Sequence, residues 1–167
     1  MARPSFAAYR SILLVATSLI MANCAHEAHQ PRETYQERVK LIKEHADSFY
    51  SNLKANRVES AIQDNRKIEA MALQMGDTAR KRTGQPSTPA AEQDVALLNT
   101  VNATAATNWL ALGQYYAIKR QYPQALATYR HLIDSYTNSI DRPYREQALR
   151  ALKDLGRLHP PTATANP

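Results

Sequence analysis

Glycine is scarce in this chain, with four in 167 residues, while alanine, leucine, glutamine, lysine and arginine are plentiful. That balance favours helices, which need little turn chemistry. Cysteine occurs once, at Cys24, so no intrachain disulfide exists. The sequence has no Gly-rich phosphate loop, no His-Glu-x-x-His and no cluster of cysteines and histidines. Nucleotide chemistry of the phosphate-loop kind and zinc chemistry therefore have no motif to rest on. Carboxylates are scattered over polar faces, and His131 and Asp134 lie three apart on one helix with no partner nucleophile. Glu44, His45 and Asp47 have the wrong spacing for a zinc site on one helix face. We therefore expect no enzyme activity, no metal and no cofactor.

What the chain does have is enough apolar material, 44% of its residues, for one modest core and one domain. Its formal charge is +6, and about +4 once Arg3 and Arg10 are removed with the segment discussed next. Such mild basicity suits an anionic lipid or cell-wall surface and equally an ordinary soluble domain. Nucleic acid is not an expected partner.

Residues 1–23 read MARPSFAAYRSILLVATSLIMAN, two arginines followed by an uncharged run over 12–22. A basic start before an apolar stretch of about 10 residues is a secretory signal, short for a transmembrane helix. The run ends at Met21-Ala22-Asn23-Cys24. This resembles the lipobox of bacterial lipoproteins, with Asn23 where that family usually has glycine or alanine. The resemblance implies that Cys24 becomes the first mature residue and carries the lipid. Ala25 after the cysteine implies sorting to the outer membrane in a Gram-negative cell. The alternatives are an ordinary signal peptide cut nearby or an uncleaved anchor. Residues 24–31, including His26 and His29, read as a polar tether.

Helical periodicity begins after Pro31. Tyr35, Val39, Ile42, Ala46, Phe49 and Leu53 make one stripe over about 32–55, with His45 at its edge. A second stripe runs Val58, Ala61, Ile62, Asn65, Ile68, Ala72 and Met75. Arg80-Lys81-Arg82 reads as a helix C-terminus complementing its dipole, or as a contact to phospholipid head groups. A loop over 83–89 follows. Thr88-Pro89 is an N-cap followed by proline at the first helical position. From there Val95, Leu98, Val101, Ala105, Trp109, Leu112 and Tyr116 predict one long helix near 89–121. Two helices broken around 102–107 are the alternative, because asparagine and threonine are poor helix formers. Beyond Ala103 that helix is apolar on nearly every side, which predicts that neighbours bury it from several directions. A last amphipathic helix begins near Asp141-Arg142-Pro143, with Tyr144, Ala148, Leu152 and Leu155 inward, and residues 159–167 read as a disordered tail.

Within 109–129, WLALGQYYAIKRQYPQALATY, the residues Trp109, Leu112, Gly113, Tyr116, Tyr122, Ala125 and Tyr129 stand at the spacings of a helix–turn–helix repeat. The stretch resembles a tetratricopeptide (TPR) repeat covering 106–139, with Arg120 in place of the turn glycine and Thr137 in place of the terminal proline. The turn near Asn56 is a fainter echo, with Val58 at the tyrosine position and Asn65 where Tyr129 stands. The resemblance implies an all-α fold of antiparallel hairpins, about five helices in a single domain over 32–158. It implies Gly113 at the helix crossing with Ala125 facing it, and a groove lined by Leu110, Gln114, Ala117 and Ile118. Without lysine or asparagine at those positions, clamping of a carboxyl terminus is not expected.

Address and architecture together lead us to expect a lipid-anchored adaptor that holds a protein partner in a cell-envelope assembly. Alternatives are a self-associating structural envelope protein, or a cell-wall glycan-binding accessory factor using Arg80, Lys81 and Arg82.

Overall fold

A computed structural model describes residues 34–82, 84 and 86–158. The expected signal segment 1–23, the lipidation residue Cys24, the tether 24–31 and the tail 159–167 lie outside the described residues. The fold is all-α. Its helices are α1 (Tyr35–Lys54), α2 (Val58–Lys81), α3 (Pro89–Ile118), α4 (Tyr122–Ser135) and α5 (Arg142–Leu158), with one 3-10 turn at Ser139–Asp141 before α5. Consecutive helices pack on one another, and α1 and α5 also reach α3. None of these helices is long and apolar enough to cross a membrane.

Local chemistry sets where the helices begin. Thr34 Oγ1 accepts from the Glu37 N–H at 3.3 Å while the Glu37 carboxylate accepts from the Thr34 N–H at 2.7 Å. This capping box starts α1 at Tyr35 and holds the Glu37 carboxyl below its ordinary pKa. Thr88 caps α3 through the Ala91 N–H at 3.2 Å, with Pro89 opening the helix. At its other end α2 closes on the basic triplet, two members of which are ion-paired: Arg80 to Asp77 at 2.7 Å and Arg82 to Asp94 at 2.6 Å.

The α1–α2 and α3–α4 turns are built alike. In the first, Asn56 takes φ 59°, its N–H bonds Leu53 O at 3.0 Å, and the Arg57 N–H bonds Asn52 O at 2.8 Å. In the second, Arg120 takes φ 58°, its N–H bonds Ala117 O at 3.0 Å, and the Gln121 N–H bonds Tyr116 O at 2.8 Å. Both are Schellman closures around a left-handed residue. Arginine therefore occupies a conformation that glycine adopts at lower cost. Every equivalent position differs by the same 64 residues, so the faint echo at Asn56 is a true geometric repeat of the turn at Arg120. The Tyr115 hydroxyl donates to Asn56 Oδ1 and fastens one turn to the other.

The residues at the α3–α4 crossing have different counterparts in the first hairpin. A Cβ at Gly113 would lie 2.4 Å from Tyr129 Cε1, with Tyr129 Cζ and Cδ1 next nearest, so the Tyr129 ring fills the space that the glycine leaves. Ala125, expected to face Gly113, is buried, but the three closest atoms all belong to Tyr129. The counterparts 64 residues earlier are Phe49 and Asn65, both fully buried. The bulky ring thus comes from the first helix of the earlier pair, where the later pair takes it from the second.

α3 is one continuous helix through the stretch where a break was the alternative. Thr100, Thr104 and Thr107 return their hydroxyls to the carbonyls of Ala96, Thr100 and Ala103 at 2.7–3.0 Å, so each hydroxyl finds its partner within the helix by sharing a helix-bond acceptor. Asn108, fully buried, donates to Asn65 Oδ1 at 2.9 Å, and Asn65 donates to Ala105 O at 3.1 Å. These bonds satisfy the amides that interrupt the apolar surface. Ala105, Ala106, Trp109, Leu110, Leu112 and Gly113 are all buried, as an apolar-all-round segment requires. Toward its start the helix is rotated from the expected stripe: Leu97 is buried, whereas Val95 is exposed. Burial at 97, 101 and 105 follows steps of four. Val95 lies off that line.

Candidate functional site

One face of α2 carries Ile62, Arg66, Glu69 and Leu73, at steps of four, three and four. Leu73 is 68% exposed. The first three of these residues form one wall of a pocket of about 260 Å³. α3 supplies Trp109, Leu112 and Tyr116, and α4 supplies Ala127, Thr128 and His131. Side chains from both hairpins therefore meet here, brought together by α3, on which α2 and α4 pack.

Glu69 organises the polar side of the pocket. Its Oε1 accepts from Trp109 Nε1 at 2.7 Å and from the Tyr136 hydroxyl at 2.8 Å. His131 Nε2 stands 3.9 Å from the same oxygen, and its ring meets Trp109 edge-on with centroids 4.6 Å apart. Burial, followed by the nearby Glu69 charge, pushes the Tyr136 hydroxyl far above its usual pKa, so it remains a donor at any physiological pH. Burial also raises the Tyr116 hydroxyl, with Glu59 and Tyr115 adding to the effect. Arg66 is exposed at the rim and makes no ion pair or hydrogen bond among the described residues.

A second concavity of about 360 Å³ lies between α1 and the first half of α3. It is lined by Tyr35, Val39, Ile42, Lys43 and Ala46 on one side, and by Leu97, Thr100 and Thr104 on the other. Tyr35 and Val39, expected on the inward stripe of α1, are more than one-third exposed here.

Deeper between α1 and α2, Asp64 accepts from Ser48 Oγ at 2.6 Å and Asn52 Nδ2 at 2.9 Å, with Lys67 Nζ at 3.4 Å and His45 Nδ1 at 3.5 Å. Burial opposes its charge, but the bonds from Ser48, Lys67 and Asn52 outweigh it and hold the carboxyl below its ordinary value. Serine, histidine and aspartate meet here, yet serine and histidine both turn to the carboxylate. A nucleophilic serine needs the imidazole between itself and the acid. The trio braces α1 on α2. His45 is thus a partner of a buried carboxylate, where the sequence placed it at the edge of a stripe. His131 likewise pairs with Trp109, Glu69 and Ser135, at 3.4 Å from the Ser135 hydroxyl, and not with Asp134.

The expected groove residues separate. Leu110 is buried in the core and presents nothing to a partner, because α3 is enclosed at that depth. Gln114 is exposed, Ala117 is half-buried, and Ile118 is 80% exposed at the end of α3. None of the four lines either concavity. Trp109, Leu112 and Tyr116, expected as packing residues, line the pocket while still belonging to the core. Gly113, Ala125 and Tyr129 are buried and Tyr122 is partly buried against the core. Glu69 and Asp64 carried no sequence signal, since a carboxylate on a polar stripe looks like any solvated one. Among the described residues, no group of three or more histidines, cysteines, aspartates or glutamates is placed to hold a metal. No family model, curated protein or solved structure matches the chain.

Proposed function

We propose that this chain is a lipid-anchored cell-envelope adaptor, a TPR-like scaffold that holds a protein partner in an envelope assembly. The observation that carries this reading is the pair of hairpins with the same turn closure, packed so that concavities open between helices of different hairpins. Stacked helical hairpins present such surfaces to extended or helical segments of partners. The polar side chains that converge support packing: Ser48 and His45 engage Asp64, and Trp109 and Tyr136 engage Glu69. Membrane attachment rests on the sequence of 12–24 alone.

Two positions test the adaptor reading in living cells. A photo-crosslinking residue at Leu73 and another at Ile118, both highly exposed, should each report on contact with a partner. A defined protein adduct at either position is the expected result. Absence of adducts at both, in correctly folded protein, removes the adaptor. Cys24→Ser should abolish incorporation of a fatty-acid analogue, and an unlabelled parent chain removes the anchor. The exposed Tyr35 and Val39 also support a self-associating protein. A sedimentation coefficient independent of concentration excludes that reading.

A further inference from the structure

We propose that the Trp109 pocket is the anchor point for a partner segment that places an aromatic side chain beside an acidic one. This rests on the adaptor reading above and names the chemistry of one of its sites. A space of about 260 Å³ is below the range of ordinary small-molecule pockets and suits a single inserted side chain. Its walls include Ile62, Leu112 and the Trp109 and Tyr116 rings, against which an aromatic ring packs edge-on or offset. Leu73, on the same face of α2 and exposed, offers a separate apolar contact one turn beyond Glu69, which fits a polypeptide and not an isolated small molecule.

The charges at the rim are unequal in availability. Glu69 already receives two short hydrogen bonds on Oε1. Arg66, one turn earlier on α2, is exposed. It is thus a cation at the rim with no partner among the described residues, and its complement is a carboxylate next to the anchoring ring. Glu69 Oε2 carries no donor among the described residues and accepts a main-chain N–H of the incoming segment.

Trp109 is the only tryptophan in the chain, so its fluorescence reports directly on the pocket. Full-length protein is titrated with N-acetyl-Asp-Phe-amide, its Asn-Phe analogue and its Lys-Phe analogue. The Asp probe should change Trp109 emission saturably, with a dissociation constant in roughly the millimolar range. The Asn probe should bind about tenfold more weakly, corresponding to one charge-assisted hydrogen bond, and the Lys probe more weakly still. Arg66→Gln should reduce the Asp probe to the level of the Asn probe. Raising salt from about 0.05 to 0.5 M should weaken the Asp probe alone. Equal binding of the Asp and Asn probes, preference for the Lys probe, or no saturable response to any of them overturns the proposal. Crosslinked adducts in cells without dipeptide binding would remove the pocket chemistry and leave the adaptor. Dipeptide binding without adducts at either position would do the reverse.

Discussion

Gly113→Ala is the most direct probe of how the hairpins are held. The added Cβ would stand 2.4 Å from Tyr129 Cε1 and 2.7 Å from Cζ. Carbon atoms in contact normally stand about 3.5–4.0 Å apart, so the overlap is about 1 Å. Tyr129 is 2% exposed and lies under the α3–α4 crossing, so its ring cannot swing into solvent without parting the helices. Overpacking of this kind costs about 1–3 kcal/mol, sometimes more. Alanine recovers about 0.5–1 kcal/mol of helix propensity over glycine. The net expectation is a loss of about 1–2 kcal/mol, read as a drop of about 0.5–1 M in the urea midpoint for a slope near 2 kcal/mol/M. Circular dichroism and Trp109 emission should report the same midpoint if unfolding is two-state. Combining the change with Tyr129→Leu supplies the control. Tyr129→Leu alone leaves a cavity, but together with Gly113→Ala that space is used, so the two effects should couple favourably by about 1 kcal/mol or more. Additive costs, or an alanine variant as stable as the parent, would refute the close approach of Gly113 and Tyr129.

Three further outcomes follow from the same geometry. Arg120→Gly should raise stability by up to about 1 kcal/mol in thermal or urea unfolding, since it relieves a left-handed arginine. Asn56→Gly should give less or none, because Asn56 also accepts the Tyr115 hydroxyl. Glu69→Ala should cost about 2–3 kcal/mol by stranding Trp109 Nε1 and the Tyr136 hydroxyl, and Glu69→Gln, which keeps an acceptor, should cost less. If the two substitutions have equal urea midpoints, Glu69 does not hold those donors. Asp64 has a folded-state pKa below its unfolded value of 3.8. Its contribution is therefore complete above that value and is lost as pH falls through the folded pKa. Acid titration of stability should show this loss in the parent and a shallower one in Asp64→Asn. Identical acid limbs would exclude Asp64 as a source.

The periodic stripes located α1, α2, α3 and α5, because each helix must bury one face, although Tyr35, Val39 and Val95 of those stripes are exposed. Thr88 and Pro89 marked the start of α3 through local chemistry that a sequence displays, whereas the equally local Thr34–Glu37 capping box starts α1 at Tyr35, three residues past the expected 32. The 109–129 pattern identified the tight hairpin because Gly113, Tyr122, Ala125 and Tyr129 stand at fixed spacings across one turn. The earlier hairpin was harder to read because Phe49 and Asn65 stand where the later one has Gly113 and Tyr129, and a pattern tied to residue type misses that difference. Continuity of α3 was undecidable from propensity. Its threonines and Asn108 disfavour helix alone, and the Asn108–Asn65 bond with the burial of Ala105, Ala106, Trp109 and Leu112 reverses that preference.

The candidate site lay almost wholly beyond the sequence. Glu69, Trp109, His131 and Tyr136 come from three helices and the residue after α4, as far as 67 positions apart. No local period relates them. Leu110 shows the converse limit, because a groove position inferred from a repeat pattern is buried when the long helix is enclosed at that depth. By itself, then, the sequence determined the class of fold, the helix order and the turn positions, all governed by bonds and spacings within a few residues. Which carboxylates are engaged, which cation stands unpaired and where a side chain can enter were decided by the packing of α2 and α4 on α3. Those outcomes depend on distances between segments that the chain order does not encode.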